Sequence, residues 1–131
     1  VRILPEMIEE VRAAYPGAPV LIHPESPKEN RDLCDAVLST GQMCEFVKTS
    51  EAKTFVIATE VGILHTLRKQ NPEKTFVSVD EARITCPNMK LGSLMSTLKA
   101  LRGDGGESIV VAPDVAVKAK RSLDKMLEMS K

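Results

Sequence analysis

Short apolar segments alternate along the chain with segments whose apolar residues recur every three or four positions. The continuous apolar runs, which are typical of strands buried on both faces of a parallel sheet, lie at 19–23, 36–38, 54–58 and 75–79. The periodic segments, which predict amphipathic helices, lie at 5–15, 28–36, 41–49 and 60–70. This order predicts an α/β fold, a parallel sheet with helices on both faces in a three-layer α/β/α arrangement.

Individual residues indicate where these elements begin and which sides face inward. Pro5 suits the first turn of the first helix, where its missing N–H costs little. Ile8, Val11 and Tyr15 follow at helical spacing and predict the buried face of that helix. Thr59 suits the N-cap of the helix at 60–70.

The last third of the chain has a different pattern. It predicts two helices, at about 91–101 and 113–129, joined through the glycine-rich loop at 103–106. We therefore expect an α/β domain at 1–90 followed by a helical segment at 91–131.

Composition narrows the class of protein. The 131 residues are 43% hydrophobic and 27% charged, with 18 basic against 18 acidic side chains and 3% aromatics. That is ordinary for a soluble globular protein, and it lacks the basic excess of a nucleic-acid binder. No apolar run approaches the ~20 residues of a membrane-spanning helix. The cysteines, Cys34, Cys44 and Cys86, form no CxxC pair, which favours a reducing, cytoplasmic setting.

Polar or reactive residues follow the predicted strands. In an open parallel sheet, ligands bind at the carboxyl ends of the strands. These positions carry the segments His23-Pro24-Glu25-Ser26, Ser39-Thr40-Gly41, Thr59-Glu60 and Cys86-Pro87-Asn88-Met89. We expect them to share one rim of the sheet.

His23 and Glu25 are candidates for acid–base chemistry. Histidine titrates nearest to neutral pH, and Glu25 points to the same side as His23 in an extended chain. Together they can orient and protonate a small anionic substrate. The alternatives are a histidine bonded only to backbone and a carboxylate that stabilises a helix N-terminus.

Ser39 and Thr40 precede a predicted helix, where hydroxyl and backbone N–H groups suit a phosphate or carboxylate. An ordinary N-cap is the stronger alternative for Ser39-Thr40, and also for Thr59-Glu60.

Cys86 lies in Ile84-Thr85-Cys86-Pro87, and we expect a strand before it and a helix after it. A thiol ahead of a helix N-terminus has a lowered pKa, which suits a metal ligand or nucleophile. Proline after a ligand cysteine is also common in iron–sulfur sites. Cys34 and Cys44 fall within helical patterns and are expected to be small buried thiols.

Four segments, in the order of the chain, resemble quinolinate synthases: His23-Pro24-Glu25, Ser39-Thr40-Gly41-Gln42-Met43, Thr59-Glu60-Val61-Gly62-Ile63-Leu64-His65 and Cys86-Pro87-Asn88-Met89-Lys90. Residues 116–127 resemble the last helix of the same family. Each motif is weak alone, whereas four in order are specific.

The resemblance implies one of three pseudo-symmetric α/β domains, each of which supplies one cysteine to a [4Fe-4S] cluster. It implies the condensation of iminoaspartate with dihydroxyacetone phosphate to quinolinate in NAD biosynthesis, with the cluster acting as a Lewis acid. Cys86 matches the third cluster ligand. His23, Pro24 and Glu25 match substrate-contacting residues, with His23 and Glu25 as the catalytic pair.

Further positions follow from the same resemblance. Thr40 matches a residue that binds anionic groups of the substrate, Ser39 is its neighbour, and Met89 is expected to line the cavity. Glu60 is placed at the rim with no assigned role. Ser26 stands where many members have a cysteine, and that cysteine is not one of the three ligands.

The other two ligand cysteines are expected upstream of Val1, in the missing N-terminal domains. We therefore expect a fragment, inactive by itself, whose residues 91–131 pack on 1–90 or on the missing first domain. An alternative from another class is a freestanding α/β module that binds a small anion without catalysis. In a third reading, an interaction domain, the strand-end residues are all structural.

Overall fold

The computed structural model describes residues 3–130. Its helices and strands are α1 (Pro5–Ala14), β1 (Val20–Ile22), α2 (Lys28–Asp32), β2 (Ala36–Val37), α3 (Thr40–Thr49), β3 (Thr54–Ala58), α4 (Gly62–Gln70), β4 (Thr75–Ser78), α5 (Leu94–Arg102) and α6 (Pro113–Met129), with a 3-10 turn at Asn88–Lys90. The chain divides into two units, Val1–Lys90 and Leu91–Lys131.

The sheet of the first unit has four strands in the order β2-β1-β3-β4, and every neighbouring pair is parallel. The chain passes from β1 to β2 on one side and then crosses back over β1 to β3. The direction of the strand order therefore reverses between β1 and β3. In open α/β sheets this reversal opens a crevice at the carboxyl ends of the two strands.

Both faces of the sheet are covered, because side chains of successive strand residues point to opposite faces. On one face Leu21, Phe55 and Ile57 form a buried cluster with residues of α3 and α4: Met43, Val47, Leu64 and Leu67. On the other face Val20, Ile22, Val56 and Ala58 pack with Ile8 and Val11 of α1. The predicted parallel sheet with helices on both faces is confirmed.

Some local predictions were wrong. Tyr15 is 40% exposed and does not continue the buried face of α1. The second helix stops at Asp32, because the Asp35 N–H already donates to the Val20 carbonyl as β2 begins. Thr59 does not cap α4, whose N-cap is Val61. Cys86 follows β4, but not directly, because residues 79–85 form a bend, a turn and irregular backbone between them, and only a 3-10 turn follows it, at Asn88–Lys90.

The second unit contains α5 and α6. Ser93 caps α5 through a reciprocal pair of bonds with Ser96, so the helix begins three residues later than the apolar pattern suggests. Gly103 ends α5 at φ 74°, a left-handed conformation that favours glycine. Large apolar side chains of this unit are exposed, among them Leu94, Leu101 and Leu123. Within residues 3–130, no helix is long and apolar enough to cross a membrane.

Asp35 connects three elements of the first unit. Its carboxylate accepts from Arg12 Nη2 at 2.6 Å and from the Val20 N–H at 2.7 Å, and Arg12 Nε also donates to the Leu33 carbonyl at 2.9 Å. Partial burial by itself raises the pKa of Asp35. The bonds from Val20 and Arg12 and the charge of Arg12 outweigh burial, so the pKa lies below its ordinary 3.8.

We expect Asp35→Asn to lower the free energy of unfolding at neutral pH and to have little effect in strong acid. A carboxyl group whose pKa is lowered by folding stabilises the fold while ionised, and this contribution is lost as the pH falls below 3.8 through the folded-state pKa. Urea unfolding at a series of pH values measures the difference. Asp32→Asn, on the exposed side of α2, is the matched control. A difference that grows toward acid would contradict the prediction.

Lys74 holds the end of α3 against the sheet. Its ammonium group donates to the Val47 carbonyl and, at 2.8 Å, to the Ser50 carbonyl, and it lies 5.6 Å from the centre of the Phe55 ring. These carbonyls belong to the helix end, where intrahelical donors run out.

We expect Lys74→Met to cost about 1–3 kcal/mol, because two partly buried carbonyls lose a charged donor while the aliphatic stem is retained. Lys69→Met, at an exposed position of α4, is the control and should change stability little. Urea midpoints compare the two variants. Equal losses would mean that Lys74 contributes only as a surface charge.

Candidate functional site

The carboxyl ends of the parallel strands meet at one edge of the sheet, where a cavity of about 690 Å³ opens. Five residues predicted for the site line this cavity: His23, Glu25, Thr40, Cys86 and Met89. The lining also includes Ser26, Thr59 and Glu60. Pro24 and Ser39 are not among the lining residues. Three loops after strands and one segment after β4 therefore converge as the strand-end rule predicts.

A tight turn after β1 presents His23 and Glu25. The Ser26 N–H donates to the His23 carbonyl at 3.0 Å, and Arg31 donates to the Pro24 carbonyl at 3.4 Å. Pro24 therefore shapes this turn, with its carbonyl held by Arg31.

The two side chains of the turn are close and differ in exposure. The Glu25 N–H donates to His23 Nδ1 at 3.4 Å, which leaves Nε2 as the protonated nitrogen of the neutral ring. The Glu25 carboxylate lies 4.0 Å from Nδ1, and its side chain is 91% exposed against 28% for His23. His23 can donate from Nε2, and Glu25 can accept a proton from solvent or substrate.

The start of α3 separates the roles of Ser39 and Thr40. Ser39 Oγ accepts from the Gln42 N–H at 3.5 Å, and Gln42 Oε1 accepts from the Ser39 N–H at 2.9 Å. This capping box occupies Ser39, as the N-cap alternative expects. Thr40, the first helical residue, lines the cavity. Cys44 lies one turn further and also lines it. Cys34 and Cys44 were expected to be buried thiols, and both are half-buried.

Glu60 is the most connected carboxylate of the site. Its Oε2 accepts from the Gly62 N–H at 2.7 Å, and its Oε1 accepts from the Cys86 N–H at 3.3 Å and from Lys90 Nζ at 3.1 Å. Its side chain is only 11% exposed. Burial alone raises the pKa of Glu60, but the bonds from Gly62, Lys90 and Cys86 and the Lys90 charge outweigh it and lower the pKa below its ordinary 4.5. Glu60 is therefore ionised at neutral pH.

Cys86 is half-buried at the cavity, with its backbone N–H fixed by Glu60. On the other face of the sheet, burial raises the pKa of the Cys34 thiol to about 11 against the opposing charge of Arg12, so this thiol stays protonated at neutral pH. Residues 3–130 contain no group of three or more His, Cys, Asp or Glu side chains that could hold a metal ion. Cys86 could therefore serve as one metal ligand, whereas a cluster held by cysteines needs several thiolates.

Sequence reasoning missed several residues of the cavity. Gly62, Ile63, Thr66 and Lys90 also line it. Gly62 and Thr66 are four residues apart on α4, as Thr40 and Cys44 are on α3, so helical spacing from a strand-end residue was the available signal. For Lys90 no such signal existed, because its contact with Glu60 joins segments distant in sequence.

A parallel sheet with helices on both faces and a cavity at the carboxyl ends of its strands defines the class of open α/β domains. Within that class, the chain belongs to the quinolinate synthase family. The family model described as "NadA: Quinolinate synthetase A protein" matches residues 1–128. The resemblance of the four motifs is thereby confirmed.

Curated relatives agree with the family model. The chain is 42% identical to a quinolinate synthase of Thermotoga petrophila over 124 residues, which are 95% of this chain and 41% of that protein. It is 40% identical over 129 residues to one of Dehalococcoides mccartyi, with 98% and 42% covered, and 41% identical over 126 residues to one of Geobacter sp., with 96% and 41% covered. The chain spans about two fifths of the length of these relatives.

Proposed function

We propose that this chain forms one wall of a quinolinate synthase active site. The reaction is the condensation of iminoaspartate with dihydroxyacetone phosphate to quinolinate, in the cytoplasmic synthesis of NAD. The observation that carries the proposal is the convergence of His23, Glu25, Thr40 and Cys86 on one cavity in a chain of this family.

The cavity is suited to small anions. Thr40 offers a hydroxyl group at the N-terminus of α3, where the first N–H groups have no intrahelical partner. His23 offers an N–H at Nε2, since Nδ1 accepts from Glu25. Both donors fit a carboxylate or phosphate. Met89, which is 65% exposed, adds an apolar side against the carbon skeleton of the substrate.

We assign proton transfer to His23 and Glu25. The ring of His23 is held by the turn at 23–26, and as the imidazolium it can give a proton to an oxygen that leaves as water, which returns the ring to its neutral form. The exposed Glu25 carboxylate can take a proton from a carbon or nitrogen of the substrate. Two groups within 4.0 Å then cover donation and acceptance on one side of the cavity.

Cys86 is the residue of this chain that would hold a [4Fe-4S] cluster, as one of three ligands. The cluster would supply a Lewis acid for substrate oxygen. The remaining ligands and the other walls of the site would come from the domains that make up the rest of the family's length. The chain alone is therefore proposed to be inactive.

The first test is anaerobic reconstitution of this chain with iron and sulfide. We expect no stable stoichiometric [4Fe-4S] absorbance and no quinolinate, because this chain supplies only one of the three proposed cysteine ligands, and Cys44, the second thiol that lines the cavity, does not complete the set. The full-length protein, reconstituted in parallel, is the positive control. A stable cluster together with quinolinate formation by the chain alone would refute the fragment proposal.

The second test is Cys86→Ala in the full-length protein, which we expect to lose the cluster and the activity. Cys34→Ala is the matched control, since Cys34 packs with the cluster of side chains on the other face of the sheet. Iron content and visible absorbance of both purified variants measure the effect. Retention of the full cluster and of activity in Cys86→Ala would show that the ligand assignment is wrong.

A further inference from the structure

Residues 80–90, here called the Cys86 segment, have little regular structure of their own. Their only helical or strand element is the 3-10 turn Asn88–Lys90. The segment is nevertheless attached to the end of β3. Ile84 is fully buried, and its carbonyl accepts from the Val61 N–H at 3.3 Å. This anchor lies two residues before Cys86, so it leaves the Cys86 backbone itself to be fixed by other contacts.

Those contacts come from Glu60. One carboxylate oxygen accepts from the Cys86 N–H at 3.3 Å and from Lys90 Nζ at 3.1 Å. The other accepts from the Gly62 N–H at 2.7 Å, at the first turn of α4. A single carboxylate, in the loop between β3 and α4, therefore connects the first turn of α4 to the Cys86 backbone and to Lys90.

We propose that Glu60 is a positioning residue, which fixes the backbone of Cys86 at the cavity through its carboxylate and through Lys90. The step from this role to catalysis rests on the proposed function, in which Cys86 binds the cluster. The local effect on Cys86 does not depend on it.

The geometry separates this role from substrate binding. Both Glu60 oxygens already accept bonds from the protein, and its side chain is 11% exposed. Glu25, which is 91% exposed, is free to meet a substrate. The resemblance that assigned roles to His23 and Cys86 left Glu60 unassigned, and its bonds indicate that it acts through Cys86.

Gly62 provides a second, independent sign that this arrangement needs space. A Cβ atom at Gly62 would lie 2.6 Å from Glu60 Oε2 and 3.1 Å from Lys90 Nζ. Side chains at the first helical turn are otherwise tolerated, and the φ of Gly62 is not in the left-handed region. The missing side chain therefore leaves room for the carboxylate and the ammonium group.

The test measures amide hydrogen exchange by NMR in this chain, with no cluster involved. We expect Glu60→Gln to speed exchange at Cys86 by about tenfold, and Glu60→Ala by more, because a bond to a charged acceptor is lost. Gly62→Ala should act in the same direction by displacing the carboxylate. Glu81→Gln is the matched control, because Glu81 lies in the Cys86 segment and pairs with Arg68 of α4. This variant should leave the exchange rate of the Cys86 amide unchanged.

The Val56 amide, which donates to Pro19 within the core, reports global opening. Selective acceleration at Cys86 with Val56 unchanged supports the proposal. No acceleration beyond that of Glu81→Gln, or equal acceleration at both amides, overturns it.

A second readout uses the reconstituted full-length protein. We expect Glu60→Gln to lose its cluster to a chelator several-fold faster than Glu81→Gln. A thiolate on a mobile backbone dissociates from the cluster more readily than one on a fixed backbone. Unchanged loss with faster exchange at Cys86 would overturn the link to the cluster. Retention of the cluster in Cys86→Ala would instead refute the ligand assignment of the proposed function, while the exchange result in the isolated chain would stand.

Discussion

The two central strands, β1 and β3, are buried on both faces and are paired in parallel, from Val20 opposite Val56 to Ile22 opposite Ala58. This pairing ends both strands at the same edge of the sheet. His23 follows one strand directly and Thr59 the other, so the cavity between them is a consequence of the register. A slip by one residue would turn the buried side chains to the opposite face, and would also displace the residues that line the cavity.

At this edge of the sheet, some side chains are bonded to the protein itself, and others remain available to a ligand. Ser39, Glu60 and Lys90 use their polar atoms on protein partners: a helix cap, a backbone N–H and an ion pair. His23 and Glu25 keep polar atoms available toward the cavity. Such a division is expected where a few reactive groups must be held in fixed positions by neighbours that do not react.

The second unit differs from the first in the exposure of its apolar residues. Its amphipathic helices have exposed apolar side chains such as Leu94 and Leu123. Exposed apolar area of this kind usually marks an interaction surface. The chain spans about two fifths of its relatives, as the 41% coverage of the Thermotoga petrophila protein illustrates. The prediction that residues 91–131 pack on 1–90 or on the missing first domain remains a prediction.

The sequence by itself determined the order of the elements, the parallel sheet and the four segments at its edge, because these depend on local patterns: continuous apolar runs such as Thr54–Ala58 and helical spacing such as that of Ile8 and Val11. The four motifs, in their order along the chain, also indicated the family. The N-cap at Ser39, a contact between residues three positions apart, was also within reach of the sequence. Only the tertiary structure decided that Glu60 binds both the Cys86 backbone and Lys90. Those contacts join residues up to 30 positions apart, and no local pattern encodes which distant partner a carboxylate will meet.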